Sequence, residues 1–254
     1  MIELDDVWKS YGGKAVLRGV TAKVQRGEAL AVIGRGASGK STLVRLLLGF
    51  EAPDLGRVAI LGHGLERLRS GSLPYVRRNF GVVTQECRLV ADRSAIDNVA
   101  MGVEVLGVPR QAARHAAAEA LALVGFTEAE TLAVGELAAS DRQKVAVARA
   151  LAPRPSILLC DEPTARLDDE GAFALLQRFE ELRRAGMTLA LFSQDQAIAQ
   201  YGVELGWQVA ELKEGVLRQE ASAVTVEPPT VEPPTREPDA TDIVRLPARR
   251  SGVR

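Results

Sequence analysis

The sequence predicts an α/β protein in which helices pack on a parallel sheet, and three observations carry that reading. Apolar runs of strand length alternate with helical periodicity in the second half of the chain. A glycine-rich loop, Gly34 to Thr42, joins one apolar run directly to a helical one. Another apolar run, Ile157 to Cys160, ends in two adjacent carboxylates, Asp161 and Glu162.

Taken in order, Ile2 to Trp8, Val20 to Val24 and Ala29 to Ile33 read as strands, separated by turn signals at Gly12-Gly13 and Arg26-Gly27. The run Val58 to Leu61 follows Pro53 and Gly56. From about Asn98 to Leu151 an alanine-rich helical pattern takes over, broken near Gly107-Val108-Pro109 and at Gly125. Strand signals return at Ile157 to Cys160 and Thr188 to Phe192, on either side of a helical stretch from about Glu170 to Ala185. Gln208 to Lys213 and Val216 to Arg218 flank Glu214-Gly215, which reads as a hairpin. We expect one globular unit over residues 1–220, with a helical subdomain at about 87–151.

From Ala221 the composition shifts to Glu, Pro, Thr and Val, and the pentapeptide TVEPP at Thr225 recurs at Thr230. Paired prolines without amide donors favour extended chain, so residues 221–254 are expected to form a disordered tail. Its basic end, with Arg245, Arg249, Arg250 and Arg254, is expected to be solvated rather than to hold lipid or protein.

Composition narrows the function classes. Thirty-two basic and thirty-three acidic side chains leave a formal charge of -1, so no overall field draws the chain to nucleic acid or anionic lipid. A nucleic-acid partner is not expected. The cysteines are Cys87 and Cys160, the latter closing an apolar run where a thiol packs as a small hydrophobe, which reads as a reduced, cytosolic protein. The early acids of MIELDDVWKSY do not suit a signal peptide, and no run reaches the roughly 18 apolar residues of a membrane helix. Any membrane role is expected to come through a partner.

The loop Gly34, Arg35, Gly36, Ala37, Ser38, Gly39, Lys40, Ser41, Thr42 carries the chemistry of phosphate binding. Backbone amides and the positive end of the following helix can surround β- and γ-phosphates where glycines keep side chains away. Lys40 supplies a point charge, and Ser41 a hydroxyl for Mg²⁺, so the expected ligands are ATP and Mg²⁺. On an extended segment the adjacent Asp161 and Glu162 are expected to point in different directions. One of them can hold Mg²⁺ while the other orients or deprotonates a water.

The loop, the carboxylate pair and the helical insertion between them resemble the nucleotide-binding subunit of ABC transporters. That resemblance implies a P-loop ATPase with a RecA-like parallel-sheet core, an N-terminal antiparallel β subdomain and an α-helical subdomain. It makes Glu162 the catalytic carboxylate, Asp161 a metal ligand, Tyr11 the ring stacked on adenine and Gln85 the glutamine that senses Mg²⁺ and water. Ala165, Arg166, Leu167 and Asp168 match the loop that crosses to the second subunit of a dimer. Within the superfamily, Arg77-Arg78, Asp92-Arg93, Asp97 to Ala100 and FEELRRAGMTLALFSQD from Phe179 are most similar to the FtsE family of cell-division ATPases. This implies a homodimer peripheral to the cytoplasmic face of the inner membrane, held by an FtsX-like integral membrane protein and coupled to peptidoglycan hydrolysis, with other division proteins nearby. Residues 87–106 would form part of the groove for that partner. Lipoprotein-releasing and macrolide-export ATPases share part of the pattern.

The chain departs from the family at two places. Where the signature usually reads leucine, serine, glycine, glycine and then an acid or amide, this chain has Leu137, Ala138, Ala139, Ser140 and Asp141. Ala138 has no hydroxyl, and Ala139 and Ser140 resist backbone angles that glycine permits. Ser140 and Gln143 fit a helix capping box, which would keep the helix start while losing a phosphate contact; a displaced, working signature is the alternative. The second departure is Gln194, where the family places a switch histidine. Glutamine donates a hydrogen bond but cannot become cationic. Ala37 also replaces a usual glycine. Slow hydrolysis is therefore expected alongside intact ATP binding, with a nucleotide-binding scaffold as the alternative.

Overall fold

The N-terminal strands β1 (Ile2–Tyr11) and β2 (Lys14–Val24) form a hairpin in the structure, a computed structural model that describes residues 1–68, 71–127 and 130–219. The expected tail, 221–254, lies outside the described residues. The hairpin turns at Gly12 and Gly13, both at positive φ, which glycine enters without a steric cost. Pairing runs from Ile2 opposite Val24 to Tyr11 opposite Lys14, so β2 begins well before the Val20 to Val24 run that is legible in the sequence. Its first half buries little beyond Leu17 and lacks clean alternation. β4 (Leu55–Ile60) pairs with β1, and the short β5 (His63–Gly64) completes a four-stranded antiparallel sheet in the order β2-β1-β4-β5.

The second sheet holds six strands in the order β10-β9-β3-β8-β7-β6. These are β3 (Ala29–Ile33), β6 (Phe80–Val83), β7 (Ile157–Asp161), β8 (Thr188–Ser193), β9 (Gln208–Lys213) and β10 (Val216–Gln219). All neighbours are parallel except the β9–β10 hairpin, which turns at Glu214 and Gly215. Its central strands β3, β7 and β8 are apolar between their ends because both faces are covered. Leu30, Val32, Ile157, Leu159, Ala190 and Phe192 face a core shared with the antiparallel sheet and α1 (Lys40–Leu47). The alternate residues Ala29, Ala31, Ile33, Leu158, Cys160, Leu189 and Leu191 face the helices.

Three of those helices, α3 (Ala95–Glu104), α4 (Arg110–Leu123) and α5 (Ala139–Leu151), pack on one another. α4 buries Ala113, Ala117, Ala120 and Leu121, a helical stripe of small side chains that lets its neighbours approach closely. Gly107, at φ 87°, and Pro109 separate α3 from α4 at the predicted break. α6 (Asp169–Arg184) and α7 (Gln196–Glu204) complete the helical layer. α7 buries only Ile198, Ala199 and Gly202, too little pattern to stand out in the sequence, and α2 (Leu73–Arg77) is shorter still.

On α6, the buried Glu180 accepts hydrogen bonds from Trp207 Nε1, Arg183 and Arg184 at 2.7–2.8 Å. Burial alone would raise its carboxyl pKa; the bonds from Arg183, Trp207 and Arg184 outweigh that and bring it down to about 2. Among the described helices, none is long and apolar enough to cross a membrane.

Candidate functional site

β3, β8, β7 and β6 run parallel and end at one edge of the sheet, where ligands of such sheets bind. Each delivers a polar segment there: the loop from Gly34 after β3, Gln194 after β8, Asp161 and Glu162 at the end of β7, and Gln85 after β6. The cleft between them has a volume of about 450 Å³. Its walls include Tyr11, Gly36, Ala37, Ser38, Gly39, Lys40, Ser41, Thr42, Gln85, Asp161, Glu162 and Gln194. Residues far apart in the chain and singled out from sequence thus meet in one place.

The loop is built by close approach. A Cβ on Gly34 would stand 2.6 Å from the Leu212 carbonyl oxygen, and one on Gly39 would stand 2.8 Å from Leu17 Cδ2. Gly39, at φ 110°, precedes α1 directly, so the amides of Lys40, Ser41 and Thr42 have no carbonyl one turn earlier to bond. Ala37 holds φ 61°, a left-handed conformation that costs a non-glycine residue about 1 kcal/mol. Ser38 Oγ is buried without a hydrogen-bond partner among the described residues. Free amides, a helix N-terminus, a buried lysine and an orphaned hydroxyl make a donor set suited to a polyphosphate.

Lys40 Nζ donates to the carbonyls of Gly34 at 2.6 Å and Arg35 at 3.3 Å. Gly34 and Arg35 do not themselves line the cleft; their backbone oxygens hold Lys40. Glu162 is 5% exposed and stands at φ 53°, with its amide bonded to the Phe192 carbonyl. Its carboxylate accepts from Ser193 Oγ at 2.8 Å and from the Gln194 amide at 3.2 Å. The loop after β8 thus fixes the direction of the carboxylate. Ser193 stands within the FSQD segment and is not among the site residues read from the sequence; a hydroxyl directly after the apolar run Leu189 to Phe192 is the signal that marks it.

Asp161, next to it, has its carboxyl pKa raised by burial and then by the charge of Glu162, against the opposing effects of Lys40, the Ser41 hydroxyl and Arg45. A cation bound there would reverse that balance. Asp161, Ser41 and Gln85 line the same cleft and offer a carboxylate, a hydroxyl and an amide, the hard oxygen donors that Mg²⁺ takes. Arg45, one turn into α1, and Val16 of β2 also line the cleft. The first could have been found from its spacing after Lys40, whereas Val16 lies in the part of β2 that the sequence does not show.

Tyr11 is 40% exposed at the cleft mouth, with its hydroxyl hydrogen-bonded to Glu51. Its ring face is available to a planar group. Gln194 is exposed.

Leu137, Ala138, Ala139, Ser140 and Asp141 do not line this cleft. They form the start of α5, with Leu137 buried and Ala138 and Ala139 exposed. The capping box expected at Ser140 is absent. α5 starts at Ala139, so Ala138 holds the cap position with no side-chain bond and Ser140 sits inside the first turn. Gln143 is buried and its amide oxygen bonds Cys87, so it cannot reach back to the helix start. Arg142 instead ties down the Leu137 carbonyl, and Asp141 lies in the first turn, where the helix dipole favours an acid. Asp168 also lies outside the cleft; it caps α6 by accepting from the Gly171 amide at 2.9 Å.

Comparison with known proteins gives concordant matches. Residues 17–165 match the family described as ABC transporter. The chain is 36% identical over 196 residues to the cell division ATP-binding protein FtsE of Escherichia coli (strain K12), covering 77% of this chain and 88% of that one. It is 39% identical over 189 residues to the methionine import ATP-binding protein MetN of Rhodospirillum rubrum, covering 74% of this chain and 54% of that one. Among solved structures, it matches the post-hydrolysis dimer of the ATP-binding cassette MJ0796 bound to ADP and Pi. That match has a TM-score of 0.79 at 27% identity, covering 88% of this chain and all of that one.

Proposed function

Because the chain belongs to the ABC transporter family, and is an ATP-binding, ATP-hydrolysing subunit of that family, we propose that it serves an FtsE-like complex in cell division. In this reading it works with an FtsX-like integral membrane protein, as a homodimer at the cytoplasmic face of the membrane, and couples nucleotide turnover to control of peptidoglycan hydrolysis. Its similarity across 88% of the FtsE chain supports this, as do the Arg77-Arg78 and Asp97 to Ala100 segments. Arg77 bonds the carbonyls of Leu48 and Gly49, and so fastens α2 to the end of α1. Residues 87–106 would offer the partner its groove.

The observation that carries the chemistry is the cleft in which Lys40, Asp161, Glu162, Gln85 and Gln194 meet. The loop amides and Lys40 bind the β- and γ-phosphates, and the ring of Tyr11 stacks on adenine. Ser41, Asp161 and Gln85 would hold Mg²⁺, which when bound neutralises phosphate charge. Glu162 accepts a proton from the attacking water, with Ser193 and the Gln194 amide holding its carboxylate in place. Gln194 offers a donor at the γ-phosphate but no positive charge. Residues 137–141 and Asp168 lie outside the cleft of their own chain and would meet the nucleotide of the second copy. Ala138 and Ala139 there, together with Gln194 in the cleft itself, favour slow hydrolysis.

The test is phosphate release by the full chain reconstituted in a bilayer with the FtsX-like protein, beside the same chain with a methionine-importer membrane subunit. Stimulation by the first alone is expected. Equal stimulation, or stimulation only by the second, would remove the cell-division role. A second reading, a nucleotide-binding scaffold with little turnover, is favoured by Gln194. Equal phosphate release by wild type and Glu162→Gln would establish it.

A further inference from the structure

Away from the cleft, one buried sulfur joins three segments that the reaction must coordinate. Cys87 is 4% exposed, two residues after Gln85. Its Sγ donates to Gln143 Oε1 of α5 at 3.0 Å and accepts from Arg166 Nη1, in the loop before Asp168, at 3.0 Å. From α5, Arg149 donates to the carbonyls of Cys87 at 2.5 Å and Arg88 at 2.8 Å. Cys87 and Arg88 stand at φ 59° and 43°, two consecutive non-glycine residues in left-handed conformation. Such a pair persists where surrounding contacts hold it, and here the contacts are those of α5 and Arg166.

The dependence runs in both directions. Gln143 is 1% exposed, and its Nε2 has no hydrogen-bond partner among the described residues. Among the described residues the sulfur is therefore the polar anchor of this buried amide, one turn from Ser140. Gln85 is exposed and makes no hydrogen bond among the described residues, so its place in the cleft is set by β6 on one side and Cys87 on the other. We propose that Cys87 is a positioning residue for hydrolysis, the joint through which the start of α5 and the Arg166 loop set where Gln85 stands. This rests on the ATP-hydrolysis reading above. It means that a movement of residues 138–141, on engaging a second copy, passes through Gln143 and the sulfur to the Gln85 segment rather than through the phosphate loop. Nucleotide affinity, which rests on Lys40 and the loop amides, is not in that path.

The experiment compares Cys87→Ala, which removes donor and acceptor, with Cys87→Ser, whose hydroxyl supplies both. With the full chain, ATP affinity is read from a fluorescent ATP analogue and kcat from phosphate release. Cys87→Ala is expected to lower kcat about tenfold while affinity changes by no more than about twofold, and Cys87→Ser to recover most of the loss. Unchanged kcat in Cys87→Ala, a serine variant as slow as the alanine one, or loss of affinity in step with kcat would each overturn the proposal. Should Cys87→Ala fail to fold, Arg166→Gln probes the same sulfur from an exposed residue. There a selective loss of kcat supports the joint, and an unchanged kcat overturns it. Wild-type phosphate release no faster than that of Glu162→Gln would instead sink the hydrolysis reading, and the joint with it.

Discussion

Lys40 Nζ stands 3.5 Å from Glu162 Oε1, with both side chains buried, so the cation of the phosphate loop and the carboxylate at the end of β7 neutralise each other inside the cleft. A triphosphate entering there competes with Glu162 for Lys40 and meets its negative charge. Glu162→Gln removes that charge but can still accept from Ser193 and the Gln194 amide. Hydrolysis should fall by about 10²-fold or more, the contribution of a positioned general base, while ATP binds more tightly. Calorimetric titration with ATP beside phosphate release checks both, and weaker binding in the variant would mean that Glu162 holds the nucleotide itself.

Ala37 supplies a second test of the same loop. At φ 61° it occupies a conformation that glycine enters freely. Ala37→Gly should relieve about 1 kcal/mol of strain in the loop and stabilise the fold, read as a rise in the thermal midpoint. Gly39→Ala, whose Cβ would stand 2.8 Å from Leu17 Cδ2 at φ 110°, should do the reverse and weaken ATP binding. A lower midpoint in Ala37→Gly would show that the alanine side chain contributes more than its backbone strain removes.

Restoring the family's residues tests the trans half of the site together with the switch position Gln194. One preorganised donor is worth about 10²-fold to 10³-fold in rate, although donors acting together are not additive. The triple variant Ala138→Ser, Ala139→Gly, Gln194→His should therefore raise kcat by at least about tenfold with little change in the affinity of a single chain for ATP. An unchanged rate would show that these positions do not limit turnover.

Glu180 makes stability depend on acid. Its folded pKa, about 2, lies below the ordinary 4.5, so its contribution is present above pH 4.5 and is lost as pH falls from 4.5 towards 2. Thermal midpoints of wild type and Glu180→Gln should diverge least at the acidic end of that window. A constant difference across it would assign the effect to packing of the Glu180 side chain rather than to its charge.

Much of this was legible in the sequence because chemistry and pattern coincided. Ala29–Ile33 and Ile157 to Cys160 are apolar on both faces, and each leads directly into a polar motif at the sheet edge. β2 was half hidden because Lys14 to Gly19 bury little, and α7 because it buries only three residues. Ser140 misled for a different reason: capping depends on where the helix starts, and the start at Ala139 is bound up with the burial of Gln143 against Cys87. That contact joins residues 56 apart, which no local pattern records. The same holds for Ser193, whose role is defined by Glu162, 31 residues away.

Tyr11 gives the last test, because its ring and its hydroxyl do separable things. The hydroxyl bonds Glu51, while the ring lines the cleft mouth with Lys9 Nζ 5.6 Å from its centroid. Stacking of a base on an aromatic ring is worth about 1–3 kcal/mol. Tyr11→Ala should accordingly weaken ATP binding by about fivefold to a hundredfold, whereas Tyr11→Phe, which keeps the ring face, should bind nearly as wild type does. Titration with inorganic triphosphate, which has no base, separates the causes: its affinity should be the same in all three proteins. Equal losses in the alanine and phenylalanine variants would place the effect in the Glu51 contact and remove Tyr11 from adenine recognition.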